Sequence, residues 1–163
     1  GLAGKVMISH AFCLGMVPTT RIEALGRRLA ALRISLMTTA PADCNLPPVA
    51  FLKALGVNIC CGSDGIRDAW SPFGNGDMLE RAMLVGYRAN FRHDEELALA
   101  FDMVTRTAAD VLGIKGYGVA VGGPADFVVV EAGSLAEAVA ARPRRKLVIK
   151  AGRIVAKDGV LVP

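Results

Sequence analysis

Three short apolar runs, Lys5–Ser9, Ile34–Thr38 and Val57–Cys61, recur along the chain, and each gives way to a polar or glycine-containing loop. Runs this uniformly apolar have the composition of parallel strands covered on both faces. Parallel neighbours need a crossover, usually a helix. Between the first two runs, Thr20 and Glu23 form a capping-box pattern, and Ile22, Leu25, Leu29 and Leu32 predict a helix over 21–33. Between the second and third, Pro47-Pro48 opens a short helix that turns Val49, Leu52 and Leu55 inward and closes at Gly56. Strand, helix, strand, helix, strand at a repeat of roughly 25 residues is the rhythm of an α/β parallel sheet or barrel. Three strands are too few to close a barrel.

Beyond Cys61, Asp77 is placed to cap a helix through Met78, Leu79, Ala82 and Met83. Asp94 precedes another that carries Leu97, Phe101 and Val104, and Thr107 starts a last short turn ending at Gly113. Past Tyr117 the period changes to that of strands. Phe127–Glu131 reads as one, and Leu147–Ile149 pairs with Ile154–Ala156 across Ala151-Gly152-Arg153. Residues 118–163 are thus expected to form a β-rich appendage to residues 1–117.

With 163 residues, 53% hydrophobic and 21% charged, the chain can build a core that buries roughly 70% of its unfolded surface, which excludes disorder as the main state. The longest charge-free run, Val6–Thr20, is 15 residues. A spanning helix needs about 20, so no membrane partner is expected. No secretory pattern follows Gly1, and the expected location is cytoplasmic. Six of the basic residues behind the net charge of +4 lie between Arg142 and Arg153. A phosphate or nucleic-acid patch is one reading. Without interleaved aromatics, a charged sheet edge in solvent is the preferred one, and no nucleic-acid partner is expected. Cys13, Cys44, Cys60 and Cys61 follow neither a zinc-knuckle nor a disulfide-scaffold spacing and are expected to be reduced and mostly buried. The H-x-E and P-C-x-x-C signature of base-flipping zinc deaminases is missing.

In such architectures, reactive side chains come from the carboxyl ends of the strands. His10 and Asp64 stand at two of those ends. A histidine can bind a metal or hold a proton at neutral pH, and a carboxylate can ligate a divalent cation and accept a proton from water. Each also has a plainer reading, His10 as a satisfied loop histidine and Asp64 as a bond to the amides of its own turn. His93 has no comparable partner and is expected to be exposed. The loop Asp64–Met78 holds the sole tryptophan, Trp70, together with Phe73, Arg67 and Asp68. Trp70 could wall a pocket for a ring, whereas Arg67 and Asp68 could form an ion pair that shapes the loop.

The pieces Ile8-Ser-His10-Ala-Phe12, Gly56-Val-Asn-Ile-Cys-Cys-Gly-Ser-Asp64 with Ile66-Arg-Asp68 and Trp70, and Pro72-Phe-Gly-Asn-Gly-Asp-Met78 resemble the cytosine-deaminase-like branch of the amidohydrolase superfamily, which includes triazine-ring amidohydrolases. Thr107–Gly113 and Gly118–Val130 resemble that superfamily's passage from its last barrel helices into its small β-sandwich. The resemblance implies that the three strands are the sixth to eighth of a (β/α)8 metal-dependent hydrolase barrel and that residues 118–163 are part of a composite β-sandwich. It implies that Asp64 binds a Zn or Fe ion and shuttles a proton, and that His10 touches the activated water or the substrate. Ser63 and Trp70 complete the candidate set as substrate-binding residues. The implied reaction is hydrolysis of a C–N bond on a heterocyclic base, cytosine-like or triazine-like, with ammonia or an alkylamine leaving. Gly65 stands where cytosine deaminases often carry a second aspartate, and only His10 and His93 are present where the family uses several histidines. The chain is therefore expected to be an incomplete portion, inactive alone and unable to bind the metal fully, with the missing N-terminal part of the barrel or another copy as partner, hence a homo-oligomer. The competing expectation is a noncatalytic half-barrel that serves interaction.

Overall fold

A computed structural model describes every residue, Gly1–Pro163. The three expected strands are present as β1 (Val6–Ser9), β2 (Ile34–Thr38) and β3 (Ile59–Cys61), paired in parallel in that order. Val6 faces Ile34 and Ser9 faces Met37, while Leu36 faces Ile59 and Thr38 faces Cys61. This register brings the three strand outlets to one end of the sheet.

The crossovers are α1 (Thr19–Ala31) and α2 (Val49–Ala54). α1 buries Ile22 and Gly26, and α2 buries Val49 and Leu52. The capping box does not form, because α1 starts at Thr19 and leaves Thr20 inside its first turn. The amides of Arg21 and Ile22 donate to the Pro18 carbonyl, and Glu23 accepts from Arg27 at 2.7 Å. Gly56, at φ 86°, ends α2 as expected, since a left-handed residue there carries no Cβ penalty.

β1 departs from the expected double cover. It is one edge of the sheet, with Met7 and Ile8 43% and 42% exposed, while β3, the other edge, is buried. The middle strand is shielded instead, with Leu36 and Thr38 fully buried. Two of the thiols, Cys60 and Cys61, are buried, but Cys13 is exposed and Cys44 half-buried, so the expectation of mostly buried cysteines holds for β3 alone.

α3 (Met78–Arg88) starts where predicted, because the Asp77 carboxylate accepts from the amides of Leu79 and Glu80 at 2.9 and 3.2 Å. α4 (Asp94–Val104) opens with Glu96 accepting from the His93 amide, and His93 is exposed. α5 (Arg106–Leu112) ends at Gly113, φ 70°. A second sheet follows, antiparallel, in the order β4 (Phe127–Val130), β5 (Arg145–Lys150), β6 (Arg153–Lys157), β7 (Val160–Leu161). The β5–β6 turn carries Ala151 at φ 49° and Gly152 at φ 76°, and Asp126 holds it by accepting from the Ala151 amide at 2.7 Å.

Between β4 and β5 lies a helix the strand-like reading passed over, α6 (Leu135–Ala141). Its signal is the Ser134-Leu-Ala-Glu137 pattern: Ser134 Oγ accepts from the Glu137 amide as in a capping box, while Glu137 reaches one residue further back and accepts from the Gly133 amide. α6 packs on α4 and α3 and buries Val139 completely, so the second sheet is fastened to the first unit.

The accessible surface is 10370 Å² for a 17.1 kDa chain. A compact monomer of that mass exposes about 7,700 Å². The excess of roughly 2,600 Å² means that about 58% of the extended-chain surface is buried, less than the roughly 70% expected from length. The open edge at β1 contributes to the shortfall, as do Trp70 and Phe73 in the loop after β3 and Val119, Val121 and Leu161 in the β-rich part, all well exposed. The core itself is well packed around Leu52, Ile59, Leu36 and Met103. Leu52→Ala should cost about 2–5 kcal/mol in a urea unfolding experiment, since its fully buried side chain leaves a cavity between α1 and α2.

Candidate active site

The backbone at two strand outlets is left-handed. After β1, His10 and Ala11 have φ 65° and 50°, and after β3, Asp64 has φ 59°. Such conformations are disfavoured for residues with a Cβ and persist where surrounding structure over-determines them. Their effect is to aim two side chains at each other. His10 Nε2 lies 3.6 Å from Asp64 Oδ2, within ion-pair range but beyond a hydrogen bond. The His10 ring sits 4.9 Å from the Phe12 ring, and its Nδ1 is buried without a partner. Asp64 stays open to solvent, its side chain 61% exposed.

Of the four sequence candidates, the structure thus brings His10 and Asp64 together. Ser63 is adjacent, but its hydroxyl donates to the Asp64 carbonyl at 3.3 Å. Trp70 is 96% exposed, so within this chain its ring faces solvent. An open cavity of about 520 Å³ does lie close by, lined by Phe12, Met16, Asp43, Cys44, Asn45 and Arg88.

The loop that carries Asp64 is ordered from within. Arg67 and Asp68 do not pair. Asp68 instead accepts from the amides of Trp70 and Ser71 at 2.9 and 3.0 Å, and these bonds, that from Ser71 foremost, hold its carboxyl below the ordinary value of 3.8. Two glycines permit this packing. A Cβ at Gly65 would stand 1.9 Å from Asp68 Oδ2, and one at Gly74, φ 104°, would meet the Gly65 carbonyl at 3.1 Å. Arg81, which the sequence reading did not single out, reaches across from α3 to the Thr39 carbonyl at 3.4 Å and lies under this loop near Gly74.

Neither β3 thiol is a candidate nucleophile. Burial pushes Cys61 up to about 12 and Cys60 upward as well, and a thiol held protonated is inert. A divalent cation would find one imidazole and one carboxylate at the strand outlets, and no third His, Cys, Asp or Glu joins them. The donors fit such an ion in kind. They fall short of the three or four protein ligands of a zinc site in number.

The profile of the amidohydrolase family matches residues 1–156. The chain belongs to the amidohydrolase family. Among curated relatives, the N-isopropylammelide isopropyl amidohydrolase of Pseudomonas sp. (strain ADP) is 39% identical over 166 residues, which takes in 99% of this chain and 40% of that protein. The crystal structure of N-isopropylammelide isopropylaminohydrolase from Burkholderia multivorans ATCC 17616 superposes with a TM-score of 0.96 at 49% identity, covering 99% of this chain and 42% of that one. The 5-methylcytosine deaminase of Klebsiella pneumoniae, liganded with phosphonocytosine, gives a TM-score of 0.85 at 25% identity, covering all of this chain and 43% of that one. The chain therefore spans about two fifths of the length of these amidohydrolases, an α/β portion consistent with the C-terminal part of the barrel.

Gly65→Ala should expel the Asp68 carboxylate from its seat, and amide hydrogen exchange at Trp70 and Ser71 should accelerate relative to the parent. Acid should do the same without mutation. Because the folded Asp68 is held below 3.8, its contribution to loop order is complete above that value and is lost as pH falls through the lower folded one. An NMR titration of the Trp70 and Ser71 amides reads this directly.

Proposed function

We propose that this amidohydrolase chain is the C-terminal portion of a metal-dependent hydrolase that removes an amine from a nitrogen heterocycle, cytosine-like or triazine-like. Residues 1–117 would supply strands six to eight of its barrel, and 118–163 a share of a composite β-sandwich. The observation that carries this reading is the approach of His10 Nε2 to Asp64 Oδ2 across two strand outlets, each on a left-handed residue. The likeness to two N-isopropylammelide hydrolases and to a 5-methylcytosine deaminase supports the substrate class.

Asp64 would hold a Zn or Fe ion through its carboxylate, with the remaining donors coming from polypeptide outside this chain. When bound, such an ion supplies Lewis-acid activation of water near neutral pH. Asp64 accepts the proton released as the water oxygen adds to the ring carbon, and delivers it to the nitrogen as the C–N bond breaks. His10 Nε2 faces the same space and holds the incoming oxygen or a ring substituent in place. The Phe12 ring, 4.9 Å away, packs beside the imidazole. Ser63 and Trp70 are proposed to meet the substrate once the rest of the barrel closes over them, with Trp70 supplying a flat apolar face. Gly65 offers no side chain for a polar contact to the ring and leaves room for Asp68, which favours a ring other than cytosine itself.

The exposed edge of β1 and the roughly 2,600 Å² of surplus surface would also suit a noncatalytic half-barrel that docks on a partner. Chemistry separates the readings. In the complete polypeptide, Asp64→Asn should lower both bound metal and amine release, the latter by about 10²–10⁴-fold, and His10→Ala should lower amine release while sparing metal content. Unchanged metal and turnover in Asp64→Asn would leave only the docking module.

A further inference from the structure

The basic cluster between Arg142 and Arg153, expected from sequence to be a solvated sheet edge, is mostly engaged with carboxylates. Lys150 pairs with Asp126, and Lys146 lies 3.4 Å from Glu131 and 3.8 Å from Asp158, all within the second sheet. Two members reach elsewhere. Arg145, the first residue of β5, pairs with Asp77, and Arg142, just after α6, lies 3.8 Å from Glu80. Both acids belong to the start of α3, where the loop carrying Asp64 ends.

That junction is tightly knit. Asn75 donates to Glu80 at 3.1 Å and accepts from the Asp77 amide at 2.8 Å, while one Asp77 oxygen takes the amides of Leu79 and Glu80 as well as Arg145. The Arg145 guanidinium is itself braced, since its other arm donates to the Pro143 carbonyl at 2.9 Å. The pair is only 21% and 31% exposed on its Arg and Asp side chains, so water screens it less than a fully exposed pair. α6 packs on α3 and α4 and sets the position of both arginines.

We infer that Arg145 and Asp77, with Arg142 and Glu80 beside them, form a clamp by which the antiparallel sheet positions the Asp64 loop, so that the β-rich part of the chain tunes the reaction rather than only covering a surface. This rests on the hydrolytic reading above as far as turnover is concerned, but the ordering of the loop does not. Arg145 and Asp77 touch no reacting atom in this scheme. They act by holding the far end of a loop whose near end is fixed by β3, which leaves Asp64 one position opposite His10.

The test uses the complete polypeptide and three variants. Asp77→Asn keeps an oxygen to cap α3 but removes the charge that Arg145 meets. Arg145→Gln removes the other partner, and Arg145→Lys keeps the charge without the fork. Hydrogen exchange across residues 65–80 and steady-state amine release are measured together. Asp77→Asn and Arg145→Gln should each speed exchange in that segment and lower kcat by about tenfold with KM within about twofold, and the double variant should be no worse than either alone, as expected of one shared interaction. Arg145→Lys should recover part of both losses. Lys150→Gln, which breaks an ion pair elsewhere on the same sheet, should leave exchange in 65–80 and kcat unchanged. Unaltered exchange in both single variants, full additivity in the double, or an equal effect of Lys150→Gln would overturn the clamp. Should the parent polypeptide release no amine at all, the hydrolytic reading fails while the exchange measurement still decides the clamp.

Discussion

A parallel sheet cannot end without consequence. Each strand leaves a row of backbone donors and acceptors toward its next neighbour, and its apolar faces need cover. In this chain β2 is paired on both sides, while β1 and β3 are both edges; β3 is buried, whereas β1 shows Met7 and Ile8 to solvent. The surplus of accessible surface is in keeping with that open edge. The chain matches about two fifths of the length of its amidohydrolase relatives.

The same parallel arrangement that leaves an edge bare also gathers side chains at one end of the sheet. Parallel strands deliver their carboxyl ends to one side, so residues far apart in sequence meet there. His10 and Asp64 meet across the whole width of the sheet, over the outlet of β2. Left-handed backbone at both positions is the local cost of that placement, and next to Asp64 the loop is ordered by the bonds around Asp68.

Much of this was legible in the residues. The β2 strand, the Asp77 cap, the Gly113 stop and the β5–β6 hairpin follow from local rules that tertiary contacts did not override. The capping box at Thr20 failed because the helix starts two residues earlier, with Pro18 at the N-cap, which moves Thr20 into the first turn. α6 was missed although Ser134 and Glu137 announce it, since a seven-residue helix between strands has too short a period to stand out from β-like surroundings. Within the site, the positions of His10 and Asp64 could be read from strand ends, but their facing could not, because it depends on register. Trp70 illustrates the converse. Its type suits a ring-binding wall, yet whether a wall exists depends on polypeptide that local sequence does not describe. The basic residues near Arg145 were visible as charge, while their carboxylate partners lie some 65 residues away and are joined only by folding.

The central claim is that Asp64 and His10 form one half of a cation-centred hydrolytic outlet whose other half comes from the rest of the barrel. Anomalous diffraction at the metal edge, from crystals of the complete polypeptide, tests it most directly. The account predicts a single Zn or Fe peak at about 2.0–2.2 Å from an Asp64 carboxylate oxygen, with His10 Nε2 facing the same space. A peak elsewhere, with the Asp64 carboxylate turned away from any ion, would contradict it.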